Sequence, residues 1–175
     1  LRPIPTGKVN REHALLFGTV LSIVSVVGLY YFSNLTSAIL LSITIAFYVF
    51  VYTIWLKRKT PQNIVIGGAS GALPPVIGWT IATNSLTLEP ITFFLIIFFW
   101  TPSHFWALSL YKADDYQKAK IPMLPITNGI EETKKNIFVY SLIMLPIVIL
   151  PYYIGFVGET FLIVSLLLTL SLIHI

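Results

Sequence analysis

Two adjacent carboxylates, Asp114 and Asp115, lie in a polar stretch that also carries Tyr111, Lys112, Lys118 and Lys120. Hard divalent cations such as Mg²⁺ take oxygen ligands, commonly one or two carboxylates with substrate phosphate oxygens beside them. The pair is therefore a candidate metal-ligand set. In a helix, Tyr111 and Asp115 would share a face at i, i+4, and Asp114 would pair with Lys118 at the same spacing. Taken alone, two acids among lysines also describe a solvated, salt-bridged loop. Arg2, Lys57 and Arg58 change that reading, because cations that match phosphate oxygens beside acids that hold Mg²⁺ are the recurring parts of a diphosphate site. Lys59, next to them, reads as a topology anchor.

A different chemistry is offered by His104, inside the run Trp100-Thr-Pro-Ser-His-Phe-Trp-Ala-Leu108 at the middle of an apolar stretch. Ionisable groups within a membrane are expensive and mark functional sites, although a neutral histidine bonded to a neighbouring hydroxyl is the plain alternative. Trp100 and Trp106, with Phe105, either line an apolar pocket or pack. His13 and His174 lie near the ends of apolar stretches and carry no assigned role. The chain has no cysteine, which excludes thiolate metal sites, disulfides and cysteine nucleophiles.

The elements that must position these groups follow from charge and hydropathy. Of the 175 residues, 56% are hydrophobic and 10% charged, against about 25% charged in a soluble domain, and the mean hydropathy is +0.84. All 11 Lys and Arg residues fall into three clusters, separated by pairs of uncharged, helix-length apolar stretches. The short loops between the members of each pair hold only Glu89 and Glu159 as charges, so every basic residue can sit on one side of a bilayer, as the positive-inside rule expects. The net charge of +4 is thus topology plus a possible anionic ligand, not the basic face of a nucleic-acid binder. A hydrocarbon core of about 30 Å requires about 20 apolar residues in a helix. The expected architecture is an all-α, multi-pass transmembrane helical bundle with spans at about 14–32, 35–56, 64–83, 90–111, 137–157 and 160–175. The last is about 24 Å long as a helix and reads as truncated.

Within the long inner connection after Lys112, residues from Ala113 to Lys120 are expected to be helical until Pro122 and Pro125 stop them. Asn128 with Glu131 three residues later resembles a capping box that starts the next helix. The third span holds Gly67, Gly68, Gly71, Pro74, Pro75 and Gly78. Small residues let backbones approach closely, and the double proline frees carbonyls that must be satisfied within the bundle or a cavity; close packing is the preferred reading over ligand contact. Pro146 and Pro151 are expected to kink the fifth span.

Five segments carry a family resemblance: Arg2-Pro-Ile-Pro-Thr-Gly7, Trp55-Leu-Lys-Arg-Lys-Thr-Pro-Gln-Asn63, Gly67 to Trp79, Trp100 to Leu108, and Asp114 to Pro125 with its Ile-Pro-Met-Leu-Pro run. In this order, through nearly the whole chain, they resemble the UbiA-type intramembrane prenyltransferases, and the Trp-Thr-Pro-Ser-His-Phe-Trp run resembles their haem-farnesylating branch, the protoheme IX farnesyltransferases or haem O synthases. The resemblance implies a single prenyltransferase domain over 1–175, part of a bundle of nine helices around a lipid-accessible cavity. It implies transfer of a farnesyl group from farnesyl diphosphate to a vinyl group of haem B, with Mg²⁺ as cofactor and water supplying a hydroxyl. Asp114 and Asp115 would ligate the metal. Arg2, Lys57 and Arg58 would hold the diphosphate, helped by Tyr111 and Lys118, while His104, Trp100 and Trp106 would lie on the haem side. The implied setting is the bacterial cell inner membrane or the mitochondrial inner membrane, with cytoplasmic inner loops and a possible contact with haem A synthase or the terminal oxidase assembly.

Two departures from the family pattern stand out. Many relatives have a further acid four residues beyond Asp115, where this chain has Ala119. The family's first aspartate-rich motif, roughly Asn-Asp-x-x-Asp, would precede Arg2, so the 175 residues correspond to the third to eighth spans and carry half of the metal site. On that account they are expected to lack transferase activity by themselves. Competing readings are a UbiA-type enzyme acting on a quinone precursor or chlorophyll ring, an inactive remnant, and a transporter or channel module. The absence of an internal repeat speaks against the last.

Overall fold

The computed structural model describes residues 3–172; Arg2 and His174 lie outside them. The described residues fold into helices with no strand among them: α1 (Arg11–Phe32), α2 (Leu35–Ala46) continued by a π-helical segment (Phe47–Leu56), α3 (Asn63–Ala72), α4 (Pro74–Thr83), α5 (Leu88–Tyr111), the short α6 (Ala113–Lys118) and α7 (Leu124–Thr127), α8 (Ile130–Tyr153) and α9 (Glu159–Leu172). Arg11–Phe32, Leu35–Leu56, Asn63–Thr83, Leu88–Tyr111 and Ile130–Tyr153 are long and apolar enough to cross a membrane, and Glu159–Leu172 is apolar but shorter. The protein is an all-α, multi-pass bundle.

Local chemistry explains most of the boundaries. Asn10 caps α1 by accepting the Glu12 N–H at 2.9 Å, and Asn34 caps α2 by accepting from Ser37 N at 2.8 Å. The third span is two helices that meet at Leu73, with Pro74 and Pro75 opening α4, where a missing N–H is tolerated. Beyond the second span's midpoint the bonding widens to i→i−5: Lys57 N donates to Tyr52 O at 2.8 Å and Thr53 Oγ1 to Tyr48 O at 2.8 Å. Pro102 lies inside α5, and Pro146 and Pro151 inside α8.

Three local expectations are corrected. The capping box does not form: α8 is opened by Gly129 at φ +86°, and the Asn128 carboxamide oxygen accepts from Thr127 Oγ1 instead. The shared i, i+4 face of Tyr111 and Asp115 is lost because the chain turns at Lys112 (φ −117°, ψ 22°) between α5 and α6. The helix after it stops at Lys118, before the prolines, because Lys120 takes a left-handed conformation at φ +54°.

Helix α5 is the centre of the bundle and packs against α8, α3 and α4, while α9 lies on α8 and α1 on α2. The buried side chains Trp106, Leu124 and Ile137 join α5, α7 and α8, with Val65 of α3 packed against them. No residue of α1 is buried, and its Leu15, Leu16 and Phe17 are exposed, as a lipid-facing helix requires. Polar clasps identify the two ends of the bundle. At one end Asn34 Nδ2 donates to Thr80 O at 2.7 Å, and the hydroxyls of Ser37 and Thr80 meet at 2.8 Å. At the other, Asn63 Nδ2 donates to Thr60 O at 2.6 Å and to Pro122 O at 3.5 Å. The segment 57–62 and the segment 112–129 therefore share one end.

Candidate active site

Between α2 with its π-helical continuation, α3 and α5 lies a cavity of about 640 Å³, which α1 reaches through Ser22. Its walls are apolar and aromatic, including Tyr48, Tyr52, Ile97, Trp100 and Phe105. The serine and threonine hydroxyls that line it are turned back onto their own helices. Ser22 donates to Gly18 O at 2.8 Å, Thr44 to Leu40 O at 2.7 Å, Ser70 to Gly67 O at 2.8 Å and Thr101 to Ile97 O at 2.6 Å. Their protons are thus committed to the backbone. Pro74 and Pro75 lack the N–H groups that would pair with the carbonyls of Ser70 and Gly71, two residues of the chamber wall.

The chamber is joined to the cationic end through Tyr52, which sequence reasoning missed. Its ring lines the cavity, and Lys57 Nζ sits 5.7 Å from the ring centroid. Tyr52 is also within electrostatic range of Tyr116, which follows Asp115 on α6. The π-helical segment thus leads into a lysine whose ammonium stands over an aromatic ring of the chamber wall. The available signal was the pair Tyr48 and Tyr52 in an otherwise aliphatic and aromatic run, but helix-period reading has no means of finding a π-helix.

Gly67 makes this possible. A Cβ there would overlap the Tyr52 ring, and one at Gly68 would stand 3.2 Å from Thr101 Cγ2, so α3 is held close to the π-helical segment on one side and to α5 on the other. These are packing glycines, as the sequence reading preferred. Gly67→Ala is expected to destabilise the protein by about 1–3 kcal/mol through overpacking and to displace Tyr52. Gly71→Ala, with nothing within 4 Å of the added carbon, should leave stability unchanged. Thermal unfolding of the intact, detergent-solubilised protein compares the two.

The acids and cations reach the same end, and neither aspartate forms an ion pair with Lys57 or Arg58 among the described residues. Asp115 Oδ2 lies 3.9 Å from Lys112 Nζ, with both side chains mostly exposed, and the pairing of Asp114 with Lys118 is absent among the described residues. Lys57 is half-buried; Arg58, Lys59, Asp114, Lys118 and Tyr111 are exposed. Arg2 lies outside the described residues. The Asp114 and Asp115 carboxylates and the Arg58 guanidinium are thus open to their surroundings. Among the described residues no group of three or more His, Cys, Asp or Glu side chains lies together. The carboxylates on α6 are Asp114 and Asp115 alone.

The aromatic residues of α5 divide between two surroundings. Trp100 lines the main chamber and also a second cavity of about 340 Å³ toward α8 and α9. His104 is exposed and stacks on Trp100, with centroids 4.3 Å apart and planes 17° apart, while Phe105 meets it edge-on at 5.7 Å. Trp106, by contrast, is fully buried in the core against Tyr140 at 5.3 Å and lines neither cavity. The helix turns it to the side facing α7 and α8, so it supports the site from behind.

The fold is a helical membrane bundle with an apolar chamber, and its lysines, arginine and paired aspartates gather at one end. The chain belongs to the UbiA prenyltransferase family, whose profile matches residues 1–175. It is 79% identical over 170 residues to the protoheme IX farnesyltransferase of Pelagibacter ubique (strain HTCC1062), covering 97% of this chain and 56% of that protein. It is 59% identical over 150 residues to the protoheme IX farnesyltransferase of Ehrlichia ruminantium (strain Gardel), covering 86% and 51%. The protein of that name from Parvibaculum lavamentivorans is 52% identical over 160 residues, covering 91% and 50%. The chain spans about half the length of the curated relatives it matches. No solved structure matches it.

Proposed function

We propose that the protein transfers a farnesyl group from farnesyl diphosphate to a vinyl group of protohaem IX (haem B), giving haem O. The observation that carries this is Lys57 over the ring of Tyr52, a residue of the apolar chamber's wall, at the end of the bundle that also bears Asp114 and Asp115. That relatives 79%, 59% and 52% identical are protoheme IX farnesyltransferases supports haem as the acceptor.

In this reading the isoprenoid chain lies in the chamber and its diphosphate lies at the mouth. Lys57 and Arg58 bind phosphate oxygens, with Arg2, Tyr111 and Lys118 as further contacts. Asp114 and Asp115 would hold Mg²⁺, which when bound neutralises charge on the diphosphate. The C1–O bond of the farnesyl group breaks with its electron pair leaving on the diphosphate, and fixed cations stabilise that charge where it develops. The π electrons of the haem vinyl form the new C–C bond, and water adds to the resulting cation beside the macrocycle, releasing a proton. The lining serine and threonine hydroxyls, which donate to their own backbone carbonyls, are held back from quenching the allylic cation earlier. The basic loops would face the cytoplasm, within a bacterial cell inner membrane or its mitochondrial counterpart, and haem A synthase or the terminal oxidase assembly would be the neighbouring partner.

Membranes containing the intact protein, supplied with haem B, farnesyl diphosphate and Mg²⁺, should yield haem O by pigment chromatography, and omission of Mg²⁺ should abolish it. Unchanged haem B under these conditions refutes the reading. Conversion of a quinone precursor in its place would favour the alternative acceptor class.

A further inference from the structure

We infer that His104 binds the haem substrate as an axial ligand to its iron, fixing the macrocycle beside the chamber before the farnesyl group is transferred. The inference rests on the haem reading above and assigns the residue that grips the acceptor. His104 lies in α5, seven residues before its end at Tyr111, or roughly 10 Å of helix rise below the end of the bundle that carries the aspartates. At that apolar depth an imidazole needs a partner, and His104 has no hydrogen bond among the described residues; its contacts there are the rings of Trp100 and Phe105. A neutral imidazole satisfied by a nearby hydroxyl is therefore not what is found. The hydroxyl of Thr101, three residues back on the same helix, donates to Ile97 O at 2.6 Å. Neutral imidazole is the commonest metal ligand among side chains and holds haem iron in many proteins.

The surroundings fit that role. The Trp100 stack at 17° holds the imidazole plane and leaves a ring nitrogen at the ring edge for the iron. Trp100 and Phe105 line the chamber in which the isoprenoid would lie, so a macrocycle held at His104 has its edge beside the chain it receives. The iron sits at the centre of the macrocycle and the vinyl groups at its rim, so ligation orients the acceptor without placing iron at the reacting carbon. His104 is thus a positioning residue.

The test is the optical spectrum of ferric haem B added to the intact protein in detergent, without farnesyl diphosphate. Wild type is expected to give an imidazole-ligated spectrum, with the Soret band shifted from that of haem in the same detergent alone. His104→Ala should lose the shift and weaken haem binding by roughly tenfold or more, and added imidazole should restore the shift. His104→Gln, close in size and polarity, replaces the alanine variant if that fails to fold. A wild-type spectrum in either variant overturns the inference, as does a wild-type protein that binds haem without an imidazole ligand. If the protein still converts haem B to haem O in those cases, only the ligation is wrong; if it neither binds nor converts haem B, the functional reading fails as well.

Discussion

Asp114→Asn with Asp115→Asn is expected to lower the rate of haem O formation by the intact protein by about 100-fold or more, with almost no loss of stability. The two expectations have different physical sources. Asparagine keeps the size and the turn-forming character of aspartate but removes the negative charge that a hard cation requires, and losing electrostatic stabilisation of a developing charge lowers rates by about 10²–10³. The folded state gains little from these carboxylates. The ion pair they make, Lys112 with Asp115 at 3.9 Å, has side chains 60% and 70% exposed, and such pairs contribute about 0–1 kcal/mol. Initial rates and thermal unfolding of the same preparations check both parts. Full activity would remove the aspartates from the site; a matching collapse in stability would make them structural.

Lys57→Met should produce a comparable loss, about 100-fold in kcat/KM, whereas Lys59→Met should change it less than about twofold. Methionine preserves the length and apolar stem of lysine, so its packing over Tyr52 can survive while the charge at the chamber mouth does not. Lys57 is half-buried and 5.7 Å from the Tyr52 ring centroid; there a charge is less screened than at an exposed position. Lys59 is exposed, has no ring contact or ion pair of its own among the described residues, and fits the topology anchor that the sequence suggested. Raising the farnesyl diphosphate concentration should not rescue the Lys57 variant fully, since the charge on the departing diphosphate is what the lysine stabilises. Equal effects at the two positions would mean that the loop acts through bulk positive charge alone.

Much of the bundle was legible because lipid solvation imposes simple demands. Long uncharged stretches, basic clusters at alternate connections and short loops specify helices, their neighbours and the end at which polar residues gather. The close packing expected from the glycine-rich span is realised at Gly67 and Gly68, where an added Cβ meets Tyr52 and Thr101. The sequence pattern also picked out Lys57, Arg58, Asp114 and Asp115, which the fold carries to one end. Tertiary geometry supplied the rest. A π-helical segment over Phe47–Leu56 has no signature at a helical period, so neither Tyr52 nor its link to Lys57 could be read. The turn at Lys112 depends on how α6 docks, and it breaks a face that local spacing would have kept. Trp100 and Trp106 are equivalent in a text string, but six positions of helix carry one to the cavity wall and the other to the core. Gly129 displaced the capping box for a related reason: a glycine at φ +86° reorients the chain before a side-chain cap is needed.

The claim to be tested is that the cations of the second inner connection and the acids of the third act on the same diphosphate. A double-mutant cycle on farnesyl diphosphate affinity tests it: the intact protein, Lys57→Met, Asp115→Asn and the double variant, each at saturating Mg²⁺. Groups that share one ligand couple by about 0.5–3 kcal/mol, while independent sites add to within about 0.5 kcal/mol. The claim predicts a coupling of about 1 kcal/mol or more, the second substitution weakening binding less once the first has been made. Strictly additive effects would show that Lys57 and Asp115 serve separate sites, and the shared diphosphate would have to be abandoned.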